Sequence, residues 1–356
     1  MNYSKEELNL ILLDSFEKLS YKNKYELLSA FSTFTPDWKK SEQNLIKTLS
    51  LGVYNKIRED FSNPEYLLGV LQEYERLQIE CVTYFSSDYP EELKHTPAPP
   101  IVLYCKGNTA LLSQRKFAVV GSRRTPPYAE KACRKITQEL SANFVVVTGI
   151  ADGADTAALE SALESGTAIC VLAHGFNYVY PAVNKPLLQR VVNEGLVISE
   201  HLPQIAPRNY LFPVRNRIIA GLSEGTLIVS AAKKSGALIT ANYAMEYGKE
   251  VFAFPYNVGV TYGEGCNALI KKGANLCENI LDIASVFGLD LKTRKKVSLS
   301  TEESKVLKVI KSTGSAHINE IALALNLQTY ELFVPLSSLE IKGLIVRMGG
   351  NRFGAV

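Results

Sequence analysis

The run Phe212-Pro213-Val214-Arg215-Asn216-Arg217-Ile218-Ile219-Ala220-Gly221-Leu222-Ser223 sets two guanidiniums and an amide at the start of an apolar helical stretch. Core packing gives no reason for that placement; holding an anion does. About ninety residues upstream, Lys116-Phe117-Ala118-Val119-Val120 reads as a buried strand that turns at Gly121-Ser122-Arg123-Arg124 into a helix, with Thr125 as cap and Pro126 at its first position. Such a turn offers backbone N–H groups and the positive end of a helix dipole to a phosphate. Two more turns join strands to helices through small or hydroxylated residues: Thr148-Gly149-Ile150-Ala151-Asp152-Gly153 and Ser235-Gly236-Ala237-Leu238-Ile239-Thr240. Between positions 207 and 249, six basic residues (Arg208, Arg215, Arg217, Lys233, Lys234 and Lys249) stand against Glu224 and Glu246. A chain of net charge +3 thus carries a local basic patch. Phe212 beside it is placed to stack on an unpaired base. The expected nucleic-acid contacts are Gly121, Ser122, Arg123, Arg124, Gly149, Gly153, Phe212, Arg215, Asn216, Arg217, Ser235, Gly236, Thr240 and Lys249.

These residues need a frame, and the order of apolar segments supplies one. Strand-like runs at Phe117 to Val120, Phe144 to Val147, Ala168 to Leu172, Leu196 to Ser199, Thr226 to Val229 and Val251 to Phe254 alternate with helical segments. That alternation predicts an α/β fold with a doubly wound parallel sheet, whose ligands lie beyond the carboxyl ends of the strands. Ahead of it, apolar residues recur at helical spacing from Lys5 to about Glu80, as in Leu8, Ile11, Leu12 and Phe16, then Leu27, Leu28 and Phe31. Behind it, two helical runs are followed by Leu344 to Met348, Gly349-Gly350-Asn351 and Arg352-Phe353-Gly354, the pattern of a winged helix. The expected division is a helical domain over 1–85, the α/β domain over 86–288, a basic linker over 289–300 with Lys292, Arg294, Lys295 and Lys296, and a winged helix over 301–356.

Signals for catalysis are poor. His95, His174, His201 and His317 are scattered and lack zinc-binding spacing. The chain contains no G-x-S-x-G elbow, no Walker-type loop and no G-x-G-x-x-G fingerprint after its first strand, so hydride transfer and ATP-driven work are not expected, and no cofactor or metal is. The six cysteines form no C-x-x-C pair and sit mostly in apolar runs, which fits a reducing cytoplasm. Neither an export signal nor an apolar stretch of membrane-spanning length is evident.

With these residues in place, the chain resembles the DNA-processing protein A family, also called DprA or Smf. The resemblance runs from about Asp88 onward through Asp88-Tyr89-Pro90, Gly121-Ser122-Arg123 with Thr125, Gly149 with Gly153 and Asp155, and Tyr180-Pro181 with Asn184. It continues through Phe212-Pro213 with Arg215-Asn216-Arg217, Ser235-Gly236 with Thr240-Ala241, and Gly265-Cys266-Asn267 with Leu269-Ile270. It implies an extended Rossmann-like central domain, a SAM-like helical N-terminal domain, and a non-enzymatic mediator that binds and protects incoming single-stranded DNA and loads the RecA recombinase during natural transformation. It also implies a homodimer through the late Rossmann region around Asn267, Leu269 and Ile270. An alternative of another class, a Rossmann-like nucleotide-binding enzyme or sensor of the N-glycosidic hydrolase type, lacks its P-G-G-x-G-T-x-x-E signature here. Three positions depart from the family's pattern: Asp152 replaces a basic residue, Leu159 a histidine, and Tyr256 the glycine after Pro255. The segment Leu19 to Lys24 also lacks the glycines of a hairpin often found there. The last helical run, Thr329 to Glu340, carries Glu331 and Glu340 but no lysine or arginine, so protein contact or internal packing is expected of it rather than major-groove reading, and Pro335 predicts a kinked or late-starting helix.

Overall fold

The computed structural model describes residues 3–16, 19, 24, 46–47, 51–61, 63–289 and 299–355. They form two units, divided after Leu289. Most of the expected basic linker, and the segments around Leu27 and Phe31 and from Ser20 to Asn23, lie outside the described residues.

In the first unit, helices α1 (Lys5–Asp14), α2 (Leu51–Phe61) and α3 (Pro64–Arg76) lead into strand β1 (Glu80–Thr83), short helix α4 (Glu91–Lys94) and strand β2 (Val102–Gly107). The α/β part then runs β3 (Lys116–Val120), α5 (Pro127–Leu140), β4 (Val145–Thr148), α6 (Ala154–Ser165), β5 (Ala168–Val171), α7 (Lys185–Glu194) and β6 (Leu196–Ser199). It continues α8 (Leu211–Leu222), β7 (Gly225–Ile228), α9 (Ala237–Glu246), β8 (Glu250–Ala253), α10 (Glu264–Lys271), β9 (Asn275–Leu276) and α11 (Ile280–Phe287). The nine strands make one sheet in the order β1-β2-β6-β5-β4-β3-β7-β8-β9. Pairing is parallel from β6 through β9, and β1 and β2 add to the β6 edge in antiparallel register.

Strands β3 to β7 are short and almost wholly apolar because helices cover both faces of the sheet, so alternation has no solvent side to report. Phe117, Phe144, Phe252 and Phe287 pack their rings at centroid distances of 5.4 to 6.1 Å around the start of β3. Lys116, although buried, is satisfied: its Nζ donates to the carbonyls of Leu112 (2.6 Å) and Gln114 (2.7 Å) and pairs with Glu92.

The N-terminal helices do not form a unit of their own. Leu10, Ile11, Leu13 and Tyr54 share one core with Val102, Tyr104 and Leu202, and Tyr104 donates a 2.6 Å hydrogen bond to Asp14. Part of the expected helical domain, Glu80–Thr83, is a strand of the main sheet. Four residues are too few for a period to register in the sequence.

The second unit runs α12 (Thr301–Thr313), β10 (Ser315–His317), α13 (Ile318–Leu325), a 3-10 turn over Thr329–Leu332, α14 (Phe333–Ile341), β11 (Ile345–Met348) and β12 (Arg352–Ala355). The strands pair antiparallel in the order β10-β12-β11. Gly350 and Asn351 adopt positive φ at the hairpin turn. Pro335 falls in the first turn of α14, where its missing N–H breaks no helical bond, and the helix indeed starts late. Glu303 ties the unit together, accepting from Ser338 (2.5 Å) and from Lys342 (2.7 Å).

Candidate nucleic-acid interface

Strands β3 and β7 are neighbours, yet the chain leaving β3 turns toward β4 and the chain leaving β7 turns toward β8. Their carboxyl ends therefore flank the sheet's switch point, and a cleft of about 470 Å³ opens there. Its walls come from the β3–α5 turn (Gly121 to Arg124), one face of α8 (Phe212, Arg215, Asn216, Ile219) and the β7–α9 turn (Ala232, Ser235, Gly236, with Ala237 and Thr240 behind it).

The β3–α5 turn is locked in place. Gly121 lies against Ala154, where a Cβ would come within 2.6 Å. Ser122 N–H donates to Ser230 Oγ at 3.1 Å, the Ser122 hydroxyl accepts from Arg124 N–H at 3.2 Å, and Thr125 Oγ1 donates to the Ser122 carbonyl at 2.9 Å. Thr125 thus serves the turn rather than capping α5, whose first residue is Pro127. Ser230, at the end of β7, is a positioning residue that nothing in the sequence pattern singles out.

Arg123 is exposed, and its guanidinium lies 5.7 Å from the centroid of the Phe212 ring, which in turn packs 5.7 Å from Tyr180. Across the cleft, Asn216 Nδ2 donates to the Gly236 carbonyl at 3.3 Å, stapling α8 to the β7–α9 turn. The N-terminus of α9 opens onto the cleft, with the Ser235 hydroxyl accepting from Ala237 N–H at 3.3 Å. Tyr262, half exposed, completes the rim.

Arg215 differs from Arg123. It is buried, donates through Nη1 to the Val171 carbonyl and through Nε to Asn216 Oδ1 at 3.1 Å, and faces the buried Asp155. Burial pulls the Arg215 guanidinium below its ordinary range, and the Asp155 charge opposes that shift. Burial also raises the Asp155 carboxyl, against the pull of Arg215 and a 3.3 Å hydrogen bond from Ala151 N–H.

Ten of the fourteen expected contacts line this cleft: Gly121, Ser122, Arg123, Arg124, Phe212, Arg215, Asn216, Ser235, Gly236 and Thr240. The other four stand elsewhere. Gly149 is buried, and a Cβ there would lie 2.6 Å from both Arg215 Nη2 and Asp155 Oδ2; Gly153, at φ +80°, leaves room for the carbonyls of Ser122 and Arg123. Both glycines therefore admit the protein's own atoms. Arg217 lies two residues past Arg215, on another side of α8, and pairs with Glu200. Lys249 precedes β8, at the amino end of the strands and so across the sheet from the cleft.

A smaller chamber of about 50 Å³ adjoins the cleft beside Arg123 and Phe212. Asp152 is exposed on its wall and accepts from Asn184 Nδ2 at 3.3 Å. Leu159 is fully buried within α6, so this departure does not reach the surface of the cleft. Tyr256 donates to the Val229 carbonyl at 2.7 Å. At the far end of the sheet, Asn267, half-buried, is engaged with the backbone of Tyr256 (2.9 and 3.0 Å), Leu269 is buried and Ile270 is half-buried. The apolar side chains exposed near that end are Leu276, Leu281 and Val286.

A mostly parallel sheet with a cleft at its switch point defines a Rossmann-like class of domain. Residues 80–288 match the family described as DNA recombination-mediator protein A. The chain is 41% identical over 200 residues to the DNA processing protein DprA of Streptococcus pneumoniae, covering 56% of this chain and 71% of that one. With the DprA of Bacillus subtilis it is 38% identical over 217 residues, 60% of this chain and 73% of the relative. The X-ray structure of the S. pneumoniae protein aligns with a TM-score of 0.67 at 29% identity, over 83% of this chain and 100% of that one. A structure addressing the single-stranded DNA binding mode of DNA processing protein A from Helicobacter pylori aligns with a TM-score of 0.55 at 30% identity, over 60% and 97%. The chain belongs to the DNA recombination-mediator protein A family.

Proposed function

We propose that the switch-point cleft holds the sugar–phosphate backbone of single-stranded DNA and that the protein acts without catalysing a reaction on it. The observation that carries this reading is the pairing of an exposed guanidinium, Arg123, with the ring of Phe212 at the mouth of a cleft bounded by the N-terminus of α9. The cation and the backbone donors suit phosphate, and the ring suits an unstacked base. Backbone and side-chain groups of Gly121 to Arg124, Asn216 and Ser235–Gly236 make the contacts, while Arg215 contributes its charge from below. Among the described residues lining the cleft the one carboxylate is Asp155, committed to Arg215 and to Ala151 N–H, which favours binding over hydrolysis of a nucleotide.

The single-stranded DNA binding mode of the H. pylori protein supports the same reading. Protecting incoming DNA and passing it to the RecA recombinase in the cytoplasm, as in natural transformation, extend it. Self-association at the β9 end through Leu276, Leu281 and Val286, in place of Asn267 and Leu269, is part of the proposal; a monomer mass by light scattering at tens of micromolar protein contradicts that part. Fluorescence anisotropy with single-stranded and blunt duplex oligonucleotides over a salt series tests the main reading. Affinity for the single strand is expected to exceed that for duplex and to fall with a slope of about −0.7 per phosphate neutralised. Equal affinity for the two forms at the same salt overturns it.

A further inference from the structure

The Gly121 to Arg124 turn has aromatic rings on both of its sides. Phe212 and Tyr180 stand on the β5 side, and a second group stands on the β8 side. Tyr262, in a 3-10 turn over Thr261–Gly263, lies on the cleft rim. Tyr256 follows, its ring packed over Gly263 and its hydroxyl held by the Val229 carbonyl. Tyr128, the second residue of α5, sets its ring 5.7 Å from that of Tyr256 at an interplanar angle of 61° and is 56% exposed. A glycine at 256 would leave the Tyr128 ring without that support.

The surroundings select what covers this ring. Lys131 stands one turn after Tyr128 and is exposed, and the positions one turn from Lys131 on α5 (Pro127, Tyr128, Arg134 and Lys135) include no carboxylate. Arg124, also exposed, closes the turn four residues before Tyr128. Glu264, two residues past Tyr262, is paired with Lys233 at 3.5 Å. An aromatic face set among exposed cations suits a base whose neighbouring phosphates meet those cations. Along the carboxyl edge of the sheet, β5 and β8 are four strand spacings apart, about 19 Å. One mononucleotide cannot touch the rings on both sides, and a strand of several nucleotides can. A duplex, whose bases are stacked on one another, offers neither ring a free face.

We propose that the Tyr128 ring, supported by Tyr256, is a second stacking platform for an unpaired base of the strand that crosses the Gly121 to Arg124 turn, with Arg124 and Lys131 on the flanking phosphates. The inference rests on the reading of the cleft and adds a path to it: the strand follows the carboxyl edge of the sheet from Phe212 to Tyr128.

The full chain tests this with a short oligothymidylate in which one position at a time carries iodinated deoxyuridine, because long-wavelength irradiation joins that base to a ring stacked on it. A Tyr128 adduct is expected in the tryptic peptide map of the wild-type protein. Tyr128→Ala is expected to weaken single-strand binding at least about fivefold, the lower end for base–aromatic stacking, and Tyr128→Phe to leave it unchanged. An abasic residue at the cross-linked position is expected to weaken binding to the wild type equally and to cost Tyr128→Ala nothing further. Adducts confined to other residues, or a Tyr128→Ala variant that binds as the wild type does, overturn the proposal while the cleft reading stands. A wild-type chain with no preference for single strand over duplex overturns the cleft reading, and this proposal with it.

Discussion

Arg215 and Asp155 approach each other across the space that a side chain on Gly149 would fill, since a Cβ there lies 2.6 Å from Nη2 of one and Oδ2 of the other. The glycine is therefore a condition for burying the two charges together beneath the cleft. Gly149→Ala is expected to lower stability by about 1–3 kcal/mol through overpacking. Denaturant unfolding followed by circular dichroism measures it, and an unchanged midpoint contradicts it.

Two of the three arginines lining the cleft, Arg123 and Arg215, are expected to behave differently. Arg123 is exposed, so Arg123→Ala should leave the melting temperature unchanged and weaken single-strand binding by about 1.5–3 kcal/mol, the worth of a charge-assisted bond. Arg215→Ala removes the buried charge that faces Asp155, with its bonds to Val171 and Asn216, and should cost about 3–5 kcal/mol of folding stability. Thermal melts and anisotropy on both variants check the contrast. Equal losses of stability would mean that Arg123 is held as firmly as Arg215.

Asp152 places a carboxylate on the wall of the chamber beside the cleft. Asp152→Arg is expected to tighten single-strand binding and to steepen the salt slope by about 0.7, one added phosphate contact. If a folded variant shows the same affinity and slope, the Asp152 side chain serves its bond to Asn184 alone.

In the second unit, hydrogen bonds from Lys342, Ser338 and the Ser300 N–H bring the Glu303 carboxyl down to about 2 from an ordinary 4.5. A depressed carboxylate adds stability that is complete above the unfolded value and is lost as pH falls from about 4.5 toward 2. The melting temperature of this unit is expected to fall over that window, and Glu303→Gln should flatten the dependence. A wild-type profile that stays level between pH 4.5 and 2 contradicts the assignment.

Strands β3 to β8 were legible within about one residue because burial on both faces leaves a continuous apolar run. Strands β1 and β9, with four and two residues, gave no period to read. In the cleft, the turns after β3 and β7 were legible from their small and hydroxylated residues. The bearing of each side chain was harder to see. At roughly 100° per residue, Phe212, Arg215, Asn216 and Ile219 share a face of α8 and Arg217 falls about 200° from Arg215, a signal present in the sequence and masked by reading both arginines as one motif. That Arg215 would be buried was not legible, because arginine is seldom enclosed without a partner and Asp155 lies sixty residues away. Lys249 was placed by charge alone, although its position just before a parallel strand sets it at the opposite end of the sheet.

The Tyr256 ring occupies the volume that a side chain on Gly263 would need, with its Cγ 1.9 Å from where that Cβ would stand. The two positions therefore cannot vary independently. With tyrosine at 256, a side chain at 263 requires the ring to move. The effect of a substitution at either site therefore depends on what occupies the other, because the two compete for one volume.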